Sequence, residues 1–293
     1  MKKNNLNNNI KIAIQKNGRL AEKSVALFKD IGLEFEGNEK TLFVKCYNYP
    51  VELIFVRDDD IPALVNDDFA DLGVVGENII LESQIMVKEM MPLSFGKCRF
   101  VVAVPKDGEI KKIVDFQNKK IATSYPKVTK KFFDERNINV EIVNFKGGVE
   151  VTPYLNIAAG IADLTSTGTT MRTHDLVELE EIFSSEAKLI VNPKSFKNPD
   201  KKRKILELQM RIASLIQAKY TKYIMMNAPE NTVSQIIKII PGLESPTILP
   251  LNKKGWVAIH SVVSENVFWE VIEKLKNVGA TGILVSPIEK MIL

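Results

Sequence analysis

Cysteine and histidine are nearly absent, with two of each in 293 residues. Cys46 and Cys98 stand far apart and form no CxxC pair, which argues against a disulfide framework or a structural zinc site. His174 and His260 are too few for a histidine-rich metal centre. No apolar run reaches the roughly 18 residues that a membrane span needs. The opening MKKNNLNNNI is basic and Asn-rich without the apolar stretch of a signal peptide, so residues 1–9 read as a disordered lead-in. Neither sign of charge dominates: 40 Lys+Arg face 36 Asp+Glu, interspersed, for a net +4. A nucleic-acid binder concentrates its basic residues more strongly than this. The expectation is a soluble, cytoplasmic protein with neither nucleic acid nor membrane as a partner.

Several reaction classes also lack their parts. No two glycines are spaced G-x-G, so the dinucleotide fingerprint is missing. GxxxxGK[ST], HExxH and GxSxG are missing too, which removes the usual equipment of P-loop kinases, zinc proteases and α/β-hydrolases.

What is present is ordinary globular material, 45% hydrophobic and 26% charged. The length suits two domains. Short β-type runs at 10–14, 42–47, 51–56, 71–75, 98–105, 120–124, 140–144, 163–167 and 188–192 alternate with amphipathic stretches such as 21–31, closed by Gly32, and 126–136. This alternation predicts largely parallel sheets covered by helices, in two α/β lobes. A helix is expected over 200–219, with Ile205, Leu208, Ile212, Leu215 and Ile216 on one stripe. The charged run before it, KNPDKKRK at 197–204, reads as a solvated connector, with a phosphate-binding patch as the alternative. The last 75 or so residues read β-α-β-β-α-β, the ferredoxin-like order, with Ser264 as N-cap of the second helix and Gly279 past its end.

The most informative segment is ADLTSTGTT at 162–170, a strand ending in a turn after a helical stretch over 151–161. Thr165, Ser166, Thr167, Gly168, Thr169 and Thr170 concentrate O–H and N–H donors in one turn, which suits a phosphate monoester. The same string also reads as a Thr-rich strand end without a ligand. Asp163 could accept hydrogen bonds from ribose hydroxyls. A second candidate is QKNGRL, where Gln15, Gly18 and Leu20 frame Lys16 and Arg19; the two cations either meet polyphosphate or are solvated loop charges. In VRDDDIP, Arg57 adjoins Asp58, Asp59 and Asp60, which either cap the following helix, pair with cations or help hold a metal. GVVGEN ends a strand at Gly76 and Glu77, and GGVEVTP places Glu150 at a helix start.

The ordered strings IAIQKNGRL, VRDDDIP, DLGVVGEN, KKIATSYP, VEVTP and DLTSTGTT resemble the ATP phosphoribosyltransferases of histidine biosynthesis. The strings KYIMMNAP, GLESPTILPL and SPIEKM are similar to the family's long subfamily, and the resemblance runs from about Ile10 to the end. It implies a two-lobed, periplasmic-binding-protein-like catalytic region with a ferredoxin-like regulatory domain. Lobe I would take 10–97 plus about 188–215, the lobe binding phosphoribosyl pyrophosphate (PRPP) 98–187, and the regulatory domain 219–293.

The implied reaction transfers phosphoribosyl from PRPP to N1 of ATP, releasing pyrophosphate, with Mg²⁺ required. The 165–170 turn would hold the PRPP 5′-phosphate and Asp163 the ribose. Lys16 and Arg19 would meet the nucleotide phosphates or the leaving group. Arg57, Asp58, Asp60, Glu77 and Glu150 would line the cleft, with Asp163 and Glu150 near a Mg²⁺ bound mainly through PRPP oxygens. Most other phosphoribosyltransferases place two acidic residues together before this loop, whereas here Ala162 precedes the single Asp163. Asn227, Leu243, Ser245, Thr247 and Gly282 would bind L-histidine as feedback inhibitor, shifting an active dimer to an inhibited hexamer. Two other readings are a solute-binding protein sharing the bilobal plan and a subunit dependent on a synthetase-like partner.

Overall fold

The computed structural model describes residues 9–37, 41–240 and 245–292, and these divide into two compact units, 1–205 and 206–293. All but the last residue of the expected lead-in, and Leu243, lie outside the described residues.

The first unit opens with β1 (Ile10–Gln15), α1 (Ala21–Asp30), β2 (Phe43–Lys45), β3 (Val51–Val56), α2 (Ile61–Asn66), β4 (Leu72–Gly76), α3 (Glu77–Ser83) and β5 (Lys88–Pro92). It continues through β6 (Cys98–Pro105), β7 (Lys119–Thr123), α4 (Pro126–Asp134), β8 (Val140–Asn144), β9 (Gly160–Thr165), α5 (Thr169–Thr173) and β10 (Leu176–Ser185). The chain then returns to the first lobe as β11 (Ala187–Val191). Two sheets result, in the orders β2-β3-β1-β4-β11-β5 and β10-β6-β9-β7-β8. This is the two-lobed α/β plan the strand–helix alternation implies.

The parallel part of each sheet positions the functional loops. Strands β3, β1 and β4 run parallel, as do β8, β7 and β9. Their carboxyl ends therefore share one edge in each lobe, where an α/β sheet presents its ligand-binding loops. Apolar side chains hold these strands in place: Ile12, Leu53, Leu72 and Val74 are fully buried in the first lobe. Phe100, Phe116, Ile121 and Phe133 form the heart of the second.

Several expectations need correction. The sheets are mixed rather than largely parallel, because β2, β11, β6 and β10 join antiparallel. Strands β5 and β10 were not anticipated. The first, KEMMP, is a short edge strand, and the second, LVELEEIFSS, carries bulges and charges that break its alternation. The helix expected over 151–161 is a single 3-10 turn, Val149–Val151, followed by turns. Pro153 and the left-handed Asn156 (φ 55°) prevent its continuation. Asp60 occupies the N-cap of α2, yet no carboxylate bonds that helix start; Asp58 instead accepts the Asp59 N–H at 3.2 Å.

The run 197–204 is mostly exposed, as a solvated connector would be, but it is helical from Pro199 and carries one buried anchor. It forms the start of α6 (Pro199–Lys219), and Lys201 donates at 2.7 Å to Asp71, which is only 5% exposed. Asp71 also accepts from Ser195 Oγ and the Lys11 N–H. That carboxylate thus locks the first turn of α6 onto the end of the first sheet where β4 begins, since a buried charge is costly without partners.

The second unit carries β12 (Thr221–Pro229), α7 (Val233–Ile239), β13 (Thr247–Pro250), β14 (Trp256–Ser264), α8 (Glu265–Asn277) and β15 (Thr281–Pro287). Its antiparallel sheet has the order β13-β14-β12-β15, the ferredoxin-like arrangement that the element order predicts. Ile224, Met226, Ile259, Val271 and Leu275 pack between sheet and helices. Ser264 sits at the N-cap of α8 in an extended conformation, but its hydroxyl makes no capping bond.

Candidate active site

Gln15 ends β1 and fixes the loop that follows. Its Oε1 accepts the Leu20 N–H at 3.0 Å, and its Nε2 donates to Asp58 Oδ2 at 3.1 Å. Gly18 turns at φ +107°, and a Cβ there would lie 2.7 Å from the same Nε2. The turn therefore needs glycine for both its conformation and its closeness to Gln15.

The other lobe uses a similar device. Thr165 ends β9, and its Oγ1 accepts the Gly168 N–H at 2.9 Å. Gly168 has φ +72°, again in the left-handed region. The hydroxyls of Thr167 and Thr169 bond each other at 2.9 Å. Arg19 reaches across from the first lobe, donating to Ser166 Oγ at 3.3 Å.

Between these loops lies a cavity of about 270 Å³, lined chiefly by Gln15, Gly18, Arg19, Leu20, Asp58, Gly76, Asn78, Tyr125 and Leu164. Tyr125 carries no expectation from the sequence as a site residue, and Asn78 only as the last residue of the GVVGEN candidate, whose expected contacts are backbone. Asn78 Nδ2 donates to the Tyr125 hydroxyl at 3.1 Å, and its N–H donates to Ser185 Oγ at 3.1 Å. Both residues lie inside strings that mark the resemblance, GVVGEN and KKIATSYP, which is the signal that could have found them.

Burial tunes the acids. Asp163 is pushed up to about 6, first by burial and then by the negative charge of Glu150, against the pull of the Leu164 N–H and Arg19. Burial followed by the charge of Asp59 raises Asp58 as well. Tyr125 is raised by burial and by Asp163, so its phenol stays protonated. Burial also raises the Cys98 thiol on the cavity's far wall, which disfavours the nucleophilic thiolate. The cavity wall thus offers a guanidinium, amides and the Asp58 carboxylate around an open space, while Asp163, next to Leu164 of the wall, does not line it. Such a set can bind and align an anionic, hydroxyl-bearing ligand.

The remaining anticipated residues are distributed unevenly. Lys16, Arg57 and Asp60 do not line this cavity, and the latter two are exposed. Glu77 pairs with Lys188 at 3.4 Å and borders a neighbouring cavity with Ser166 and Arg99. Thr169 lies in α5, and Thr170 follows it in the same helix. In the second unit Gly282 (φ +57°) on β15 adjoins Asn227 on β12. Thr247 lies on β13, across β14 from β12, and Ser245 is exposed before it. His174 gives its carbonyl to the Tyr154 hydroxyl and does not line the cavity, and in the second unit His260 Nδ1 bonds Tyr223 at 2.6 Å.

The family model for ATP phosphoribosyltransferase matches residues 57–214. The chain belongs to the ATP phosphoribosyltransferase family. A second model, HisG C-terminal domain, matches 218–290 and so covers the ferredoxin-like sheet. The ATP phosphoribosyltransferase of Cytophaga hutchinsonii is 42% identical over 97% of this chain and 98% of its own. That of Bacteroides thetaiotaomicron is 43% identical, over 97% and 100%. Among solved structures, the ATP phosphoribosyl transferase (HisG:HisZ) complex from Thermotoga maritima matches with a TM-score of 0.61 and 30% identity. That match covers 70% of this chain and 98% of the other. The chain is therefore a pentosyltransferase of histidine biosynthesis, with its own C-terminal domain of the family. No helix among the described residues is long and apolar enough to cross a membrane.

Proposed function

We propose that the interlobe cleft of the first unit joins N1 of ATP to C1′ of PRPP. The N1 lone pair forms the new C1′–N bond as the C1′–O bond breaks, and pyrophosphate leaves with that electron pair. The products are 1-(5-phosphoribosyl)-ATP and pyrophosphate. No protein nucleophile is needed, which agrees with a cleft whose one thiol is held protonated by burial.

The observation that carries this reading is the pairing of a hydroxyl-rich loop at Thr165–Gly168 with a guanidinium delivered from the opposite lobe. The loop takes the 5′-phosphate, and Asp163 at its root accepts from the ribose hydroxyls. Arg19 meets the nucleotide phosphates or the departing pyrophosphate as a bidentate donor, with Lys16 adding charge nearby. Gln15 and Asp58 hold the nucleotide side of the cavity, beside Gly76. Holding both substrates in line supplies the rate through alignment rather than covalent chemistry.

Magnesium fits the donors present. Among the described residues no three His, Cys, Asp or Glu side chains gather as a closed metal site. Glu150 and Asp163 interact electrostatically, and Mg²⁺ characteristically takes one or two carboxylates with substrate phosphates and water. Bound there it would neutralise the leaving group and template the ribose oxygens.

The second unit is proposed to bind L-histidine, with Asn227, Leu243, Ser245, Thr247 and Gly282 as its contacts, and to favour a hexamer over an active dimer. Inhibition follows only if histidine has unequal affinity for the two assemblies. A biosynthetic role supports a cytoplasmic location. The test mixes the purified protein with ATP, PRPP, Mg²⁺ and pyrophosphatase and follows product by ultraviolet absorbance, with and without L-histidine. Turnover suppressed by histidine supports both proposals. Turnover indifferent to histidine removes the regulatory one, and a folded protein with no turnover removes the catalytic one.

A further inference from the structure

The loop after β9 satisfies itself before any ligand arrives, and one residue beyond it does most of the holding. Arg172, in α5, folds back so that its Nη2 donates to the Thr167 carbonyl at 2.9 Å and contacts Thr169 Oγ1 at 3.4 Å. Its own N–H donates to the Gly168 carbonyl at 3.0 Å. Its Nη1 lies 3.2 Å from where a Cβ on Gly168 would stand, so the guanidinium lies against the glycine turn. On the other side of the same loop, Arg19 holds Ser166 Oγ at 3.3 Å. Two guanidiniums, one from each lobe, therefore bracket Ser166–Thr169.

We infer that Arg172 is a positioning residue for PRPP: it draws the Thr167 carbonyl aside and fixes the hydroxyl loop for the 5′-phosphate. The inference rests on reading this loop as the phosphate site. A carbonyl lone pair facing a phosphate is repulsive, so an anion-binding turn must direct its carbonyls elsewhere while its N–H and O–H groups converge. Gly168 supplies the backbone freedom, and Arg172 supplies a partner for the carbonyl that is turned away. A guanidinium suits this position because its planar fork reaches two acceptors with little reorganisation. It also leaves a positive charge beside the loop, which strengthens the attraction of a phosphate. A lysine would retain the charge without the fork, and a glutamine one donor without the charge.

Arg172→Ala, Arg172→Lys and Arg172→Gln separate these contributions. Initial rates are measured against PRPP and ATP independently, together with the melting temperature of each variant. Arg172→Ala is expected to raise KM for PRPP about tenfold, with KM for ATP within about twofold of wild type, as loss of a charge-assisted pair predicts. Arg172→Lys returns KM for PRPP part of the way, and Arg172→Gln less. An unchanged KM for PRPP in Arg172→Ala overturns the inference. So does a parallel rise in both KM values with a lower melting temperature, which marks a fold defect. If the alanine variant does not fold, the Lys and Gln variants decide the same question. Titration calorimetry with PRPP keeps the two readings distinguishable. Wild-type binding without turnover removes the catalytic reading yet leaves a Kd against which Arg172→Ala must weaken about tenfold. Equal binding by wild type and variant overturns the role of Arg172 alone, and no wild-type binding overturns both.

Discussion

The two cleft loops are built alike and equipped differently. Each follows a strand whose last side chain accepts a loop N–H: Gln15 Oε1 from Leu20, Thr165 Oγ1 from Gly168. Each turns through a left-handed glycine, Gly18 or Gly168. The first loop presents cations and the second presents hydroxyls, with Arg19 joining them at Ser166. One structural solution, a strand end that clasps its own turn, thus serves two tasks. Long cations suit a mobile polyphosphate, whereas short hydroxyls on a fixed backbone suit a monoester that must be held at one place.

The largest effect should come at the root of the hydroxyl loop. Asp163→Asn is expected to lower kcat/KM for PRPP about a hundredfold or more, as for a lost transition-state contact. The same variant should melt at a higher temperature near pH 7.5 and no higher near pH 4. The sign follows from burial: with Asp163 pushed up to about 6 from an ordinary 3.8, the folded state binds its proton more tightly. Stability therefore falls as pH rises through that window, and an uncharged isostere escapes the loss. Scanning calorimetry at both pH values checks it, and a lower melting temperature at pH 7.5 would refute the burial argument.

Next come the two glycines. Gly168→Ala should raise KM for PRPP and Gly18→Ala KM for ATP, each by roughly tenfold, because left-handed strain costs ~1–3 kcal/mol. If Gly18→Ala raises KM for PRPP instead, the first loop serves the departing pyrophosphate rather than the nucleotide phosphates, and if Gly168→Ala leaves KM for PRPP unchanged the hydroxyl loop is not the phosphate site. A smaller, sharper version removes only the clasps. Thr165→Val should weaken PRPP use and Gln15→Leu ATP use, each about three- to tenfold, the worth of a hydrogen bond left unmade. Steady-state kinetics with each substrate varied in turn tells the two apart.

The finest test is a shift of the pH profile at Glu150, whatever its loss does to the rate. Its charge raises Asp163, so Glu150→Gln should move the acid limb of kcat/KM for PRPP to lower pH. A limb that stays in place, or moves upward, would show that Glu150 does not act through Asp163.

Much of this plan is readable along the chain. The β-α-β-β-α-β order of the last unit follows from periodicity and turn residues, and its sheet has the corresponding strand order. Of the stripe expected from helical spacing, Ile205, Leu208 and Ile212 are fully buried and Leu215 and Ile216 half-buried. Strand ends followed by glycine turns place both cleft loops correctly because turn chemistry is local. The edge strands β5 and β10 escape such reading. Their pairing partners lie elsewhere in the chain, and their faces are only partly buried, so no clean alternation is imposed. Arg172 and Asn78 escape it for a related reason: the sequence shows an Arg three residues after Thr169, but not that its side chain folds back over the turn.

The sequence by itself determined the family, through motifs in fixed order, and the local elements, through hydrophobic spacing and the placement of glycine and proline. Tertiary structure alone decided which strands became antiparallel edges and that Lys201 would hold a buried Asp71. It also decided that Asp163 would titrate near 6. Periodicity and turn preference act over a few residues, whereas burial and electrostatics depend on what the rest of the chain brings close.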